Sequence, residues 1–162
     1  MKNYFAYGSN LCLKRFTDPS RVPSAALEGI GTIDGFRIVF HKPSKDGSGK
    51  ATLIADSESK VIGALFTYDE KEHKQLRRAE GGYREELIKV STSGGDVEAL
   101  TFVCEIAKLD SALLPYNWYV DLIRCGGSSL GFPKEYLLQF DLVKTKTDPC
   151  SARVEREREF LK

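Results

Sequence analysis

Residues 85–103, EELIKVSTSGGDVEALTFV, decide the fold. Glu85–Ser91 and Val97–Val103 are rich in branched and apolar residues that suit a pleated, half-buried surface. Between them TSGGD, residues 92–96, has the glycine-rich polar makeup of a tight turn. The stretch is predicted to be a β-hairpin with antiparallel arms.

Similar segments recur outward from this hairpin: NYFAY (3–7), ALEGIGTI (26–33), GFRIVFH (35–41), ATLIA (51–55), KVIGALFTY (60–68) and EALTFVCEI (98–106). Each reads as a strand bounded by Gly, Asp, Ser or Lys. SKDGSGK (44–50) reads as a second flexible turn. Helix signals are fewer: a short one after Asn10, one over 69–80, one over 116–125 ended by Gly126 and Gly127, one over 133–140, and a charged tail over 151–160. Successive strands with helices inserted and appended predict an α+β fold around a largely antiparallel, closed sheet. The length of 162 residues suits one domain, 1–162, whose charged C-terminal helix at about 150–162 presents a mostly solvated surface.

Lys and Arg number 24 against 23 Asp and Glu, so no strong field draws a polyanion and no nucleic-acid partner is expected. No stretch approaches the roughly 20 apolar residues that span a bilayer, and residues 1–10 lack a signal-peptide pattern. No membrane partner and a cytoplasmic location are therefore expected. Cys12, Cys104, Cys125 and Cys150 are widely spaced, with only His41 and His73 to help them, so they read as free buried thiols and no metal site is expected.

The stretch DEKEHKQLRRAEGGY (69–83) carries the main chemical signal. Asp69 and Glu72 have capping-box spacing, and Gly81–Gly82 provide a stop. Leu76, Ala79, Glu80 and Tyr83 follow i, i+3, i+4, i+7, which puts Glu80 on the apolar face. Burial and the negative end of the helix dipole both disfavour its charged form, which suits a general acid or base. The alternative is a structural Glu paired with Arg77, Arg78 or Arg84.

YFAYGSN (4–10) turns from a strand through Gly8 into a helix capped by Ser9 or Asn10. Such a turn is an ordinary cap, or it is a set of free N–H groups able to hold a carboxylate or an oxyanion. Neither GxxxxGK nor GxGxxG occurs in the right context, so nucleotide binding gains nothing from these glycines. Ser9 has no base in a recognisable elbow. Tyr119 shares a helix face with Leu122 and Ile123, and it and Tyr83 either join the core or line a pocket with their hydroxyls.

Together YFAYGSN (4–10), RRAEGGYR (77–84) and YVDLIRCGGSSLGFPKEYL (119–137) resemble the γ-glutamylcyclotransferase-like family, in an order that covers most of the chain. The resemblance implies a small mixed, largely antiparallel β-barrel with flanking helices, an enzyme without metal or organic cofactor, and a monomer or homodimer. It implies that Tyr7, Gly8, Ser9 and Asn10 form the substrate cradle, that Glu80 is the essential acid/base, and that Tyr83 and Tyr119 help close the pocket. EGGYR places Tyr83 directly after two glycines, whereas many members carry several residues there. The implied reaction converts the γ-glutamyl group of a small substrate to 5-oxoproline with release of an amine or amino acid. A γ-glutamylamine cyclotransferase or another deglutamylating relative, and a small-ligand-binding protein on the same fold, are the alternatives.

Overall fold

In the computed structural model, which describes residues 1–162, the hairpin at 85–103 forms as expected. Its arms are β4 (Arg84–Thr92) and β5 (Gly95–Val103), paired antiparallel from Arg84 with Val103 to Thr92 with Gly95. With β1 (Lys2–Ala6), β2 (Ala26–Pro43) and β3 (Gly49–Tyr68) they close a barrel in the order β1-β3-β2-β4-β5. Every pairing is antiparallel except β1 with β5, where Tyr4 lies beside Leu100 in parallel, so the barrel is mixed.

Seven expected segments become five strands because the breaks read at residue 34 and at 56–59 are bulges inside continuous strands. Pairing jumps from Asp34 with Lys60 to Phe36 with Ala55, and Gly35 takes the extra turn at φ +80°. The four skipped residues of β3 are held locally, Asp56 accepting from the Glu58 N–H and the Ser59 hydroxyl. A bulge bends its strand, and here the outer part of the β2–β3 hairpin delivers Lys42, Lys50 and Ala51 beside the end of β1.

The helices are α1 (Leu13–Phe16), α2 (His73–Ala79), α3 (Asn117–Ser129), α4 (Lys134–Asp141) and α5 (Ser151–Glu159). Asp69 caps the 3-10 turn before α2 by accepting from the Lys71 N–H, but Glu72 closes no capping box. Its carboxylate accepts instead from the Ser24 N–H and hydroxyl, tying α2 to the segment before β2. Gly126 and Gly127 do not end α3, which runs on to Ser129. A Cβ on Gly126 would sit 2.5 Å from the Leu11 carbonyl carbon, so that glycine is a contact surface for the turn after β1.

The core fills the barrel and continues under α3, with Phe5, Phe16, Phe66, Tyr68, Leu76, Leu122 and Ile123 fully buried. Each large apolar side chain contributes about 1.5–3 kcal/mol on burial. The tail helix is less solvated than its charge suggests: Glu157 is buried and bonded to Arg15 at 2.9 Å. The expectation of buried thiols fits Cys12 and Cys104 but not the exposed Cys125 and Cys150. No helix is long and apolar enough to cross a membrane.

Candidate active site

β1 ends at Ala6, and the chain turns through Tyr7 and Gly8 into a 3-10 turn over Ser9–Leu11. The first N–H groups of any helical turn lack intrahelical partners, and the Gly8 N–H donates to no protein acceptor. Neither Ser9 nor Asn10 caps this turn. The Ser9 hydroxyl instead accepts from Arg15 Nη1 at 3.1 Å, and the Asn10 side chain turns inward, 4% exposed.

Asn10 Nδ2 donates to Glu80 Oε1 at 2.8 Å and to the Tyr4 hydroxyl at 2.9 Å. Its Oδ1 is buried without a partner. An unmet buried acceptor costs about 1–3 kcal/mol.

Glu80 points to this place for a reason the helical period did not supply. α2 stops at Ala79, which is exposed, and Glu80 is the C-cap, with φ −95° and ψ 34°. Gly82 follows at φ +85°, a conformation that favours glycine, and β4 then begins at Arg84. Tyr83 lies between helix and strand, not on the helical face. Arg77 pairs with Glu85 and Arg84 with Glu86, while Glu80 takes part in no salt bridge. The structural ion-pair reading of Glu80 is not what the structure contains.

All seven residues singled out in the sequence, Tyr7, Gly8, Ser9, Asn10, Glu80, Tyr83 and Tyr119, line one recess with Tyr4, Ala51 and Phe102. The Tyr7 hydroxyl donates to the Phe102 carbonyl. The Tyr83 hydroxyl donates to the Ala51 carbonyl at 2.7 Å, and the Tyr119 hydroxyl accepts from the Ala51 N–H at 3.2 Å. Two tyrosines thus hold one backbone unit of β3 from both sides.

Burial pushes the phenols of Tyr4, Tyr7, Tyr83 and Tyr119 upward from their ordinary range, and the negative charge of Glu80 adds to this in each case. They stay protonated near neutral pH and serve as hydrogen-bond groups. Glu80 is the only carboxylate lining the recess. The arrangement pairs one proton acceptor with a turn of N–H donors and a ring of neutral hydroxyls.

The inner recess measures about 30 Å³ and adjoins a second of about 120 Å³ across shared walls at Ser9, Glu80, Tyr83 and Tyr119. The second adds Arg15, Arg21, Lys42 and Lys50. Two larger hollows of about 480 Å³ lie on the barrel wall and include none of the seven residues. Sequence reasoning missed Tyr4, Ala51, Phe102 and all four cations. Tyr4 was within reach as the residue one strand repeat and a bend away from Tyr7; the lysines and arginines carry no local signal.

Solved structures share this architecture. A protein described as gamma-glutamyl cyclotransferase superposes with TM-score 0.85 at 22% identity, over 98% of both chains. An uncharacterised protein from Homo sapiens gives 0.86 at 25% identity, covering 99% of this chain and 98% of the other. YkqA from Bacillus subtilis gives 0.72 at 18% identity, covering 90% of this chain and 56% of its own. A comparison with curated protein sequences gave no match. The family model "Gamma-glutamyl cyclotransferase, AIG2-like" matches residues 4–120, the span that carries the barrel, the cradle turn, Glu80 and Tyr119, and this chain belongs to that family.

Proposed function

We propose that the chain is a cofactor-independent γ-glutamylcyclotransferase that converts a γ-glutamyl compound to 5-oxoproline and a free amine or amino acid. The observation that carries this reading is Glu80, held by Asn10, free of any cation partner, and facing the Gly8–Asn10 turn across one recess. Family membership and the barrel support it.

The substrate's α-amino nitrogen, in its neutral form, attacks its own γ-carbonyl carbon, forming the ring C–N bond. Glu80 takes the proton that this nitrogen loses. The oxyanion that develops on the carbonyl oxygen is met by N–H groups of the Gly8–Asn10 turn. As the γ-amide C–N bond breaks, Glu80 returns the proton to the leaving nitrogen, so the enzyme ends as it began. The unpartnered Asn10 Oδ1 accepts from an amine N–H and orients it toward the carboxylate. Tyr7, Tyr83 and Tyr119 wall the recess against water.

The test is 5-oxoproline release from a panel of γ-glutamyl amino acids, peptides and amines, with Glu80→Gln alongside. General acid–base catalysis of this kind contributes about 10²–10⁴-fold, and that is the loss expected in kcat. A variant as fast as the native enzyme removes Glu80 from the chemistry. A panel with no product anywhere leaves a binding protein.

A further inference from the structure

The outer recess presents four cations, and two already have carboxylate partners. Arg15 bonds Glu157, and Lys50 bonds Asp46 at 2.9 Å. Arg21 and Lys42 have none. Lys42 is 7% exposed, and its Nζ makes one hydrogen bond, to the Gly81 carbonyl at 2.7 Å, with the Tyr83 ring centroid 4.5 Å away. Arg21 is half-buried, and its guanidinium makes no hydrogen bond or ion pair within the protein. Its backbone is fixed, the Arg21 N–H bonding the Asp18 carbonyl at 2.7 Å beside a fully buried Val22.

A half-buried guanidinium without an acceptor is open to an anion, because its five donors match a carboxylate in a planar fork. Burial pushes Arg21 below its ordinary range, with Arg15 acting in the same sense and Glu80 against it. Burial likewise lowers Lys42, again opposed by Glu80 among other groups. Neither cation forms a salt bridge with Glu80.

We infer that Arg21 and Lys42 form an anion subsite that selects γ-glutamyl amino acids or peptides, whose leaving amine bears a carboxylate, over γ-glutamylamines. The inference rests on the reading of the neighbouring recess as a γ-glutamyl site. Charge counting carries it. A γ-glutamyl amino acid brings the carboxylate of its leaving residue to the outer recess, where two cations lack counter-charges. A γ-glutamylamine brings none there and leaves both partly buried cations unmatched. Glu80 lines both recesses, so a scissile amide within its reach sits at their junction with the leaving residue among the cations.

Binding is measured by calorimetry on the Glu80→Gln protein, with γ-glutamyl-alanine and γ-glutamyl-alaninamide as probes that differ only at the leaving carboxylate. The acid binds tighter by about ten- to a hundred-fold, the range of a charge-assisted hydrogen bond. Arg21→Gln or Lys42→Gln in that background brings the ratio close to one, while thermal melting checks that each variant folds. Equal affinities for the two probes, a ratio unmoved by both substitutions, or binding of neither probe overturns the subsite. Turnover by the native protein is scored separately. Selective binding without 5-oxoproline release keeps the subsite and rejects the cyclisation; 5-oxoproline release with equal affinities does the reverse.

Discussion

Glu157→Gln tests whether the last helix supports the cradle. Arg15 Nε and Glu157 Oε2 are 2.9 Å apart, each side chain only 9% exposed, and Arg15 Nη1 continues the chain of contacts to the Ser9 hydroxyl. Breaking a buried ion pair on one side costs about 3–5 kcal/mol, because the remaining charge stays desolvated. Gln keeps a carbonyl acceptor for Arg15, so the lower end, about 3 kcal/mol, is expected. At about 2–4 °C per kcal/mol for a chain of this size, the melting temperature falls by roughly 6–12 °C.

Trp118 is the only tryptophan and is 2% exposed, so its fluorescence in a urea titration reports the loss directly. The pH dependence supplies a sign. Burial raises the Glu157 carboxyl, but the charges and hydrogen bonds of Arg15 and, after it, Arg156 together outweigh it and the net shift is downward. The pair's contribution is therefore complete above the unfolded value of about 4.3 and disappears as pH falls through the lower folded value. Native and variant stabilities converge in acid. A loss below about 0.5 kcal/mol at pH 7, the size of an ordinary surface substitution, or a difference that grows in acid, refutes the reasoning.

Three further outcomes follow from the geometry. Gly126→Ala drives a Cβ into the Leu11–Cys12 backbone, costs about 1–3 kcal/mol by overpacking, and lowers kcat by displacing the Gly8–Asn10 turn; unchanged melting and turnover would show that this contact relaxes freely. Tyr83→Phe removes the donor to the Ala51 carbonyl, costs about 1 kcal/mol in urea titration, and impairs turnover through the loosened β3 unit; an unchanged urea midpoint argues against the clamp. Asp148, held at about 2 chiefly by its hydrogen bonds to Arg153 against the opposing effect of burial, contributes about 2 kcal/mol. That contribution is present above about pH 4 and lost toward pH 2, so Asp148→Asn flattens the acid limb of the stability curve followed by Trp118 emission, and an unaltered limb contradicts it.

The barrel was readable where one arm faces the core and the turn is marked, as at 85–103. It was misread where a turn-like cluster sits inside a strand, because Asp34–Gly35 and residues 56–59 have loop chemistry while their neighbours keep the ladder. Gly126 and Gly127 misled in the same way: glycine signals either a helix stop or a close approach, and only the proximity of Leu11 distinguishes them. Glu80 was singled out by a helical period that ends one residue before it. Its inward direction comes from the C-cap backbone and from Asn10, a contact across 70 positions that no local pattern encodes. The cations were invisible for a related reason, since Lys and Arg on a strand, a short helix or a loop ordinarily face water.

The closure of the barrel by β1 also sets an order of events during synthesis. The cradle turn leaves the ribosome well before the residues that organise it: Asn10 waits for Glu80, Tyr7 for Phe102, and Ala51 for Tyr119. Until β3 and β5 exist, β1 has neither neighbour, and its apolar YFAY segment is an unpaired edge. Contacts so distant along the chain form slowly, because loop closure must precede any gain. The recess therefore cannot close before Tyr119 is made, and a nascent chain interrupted before it carries Glu80 and the cradle without the tyrosine clamp that completes the pocket between them.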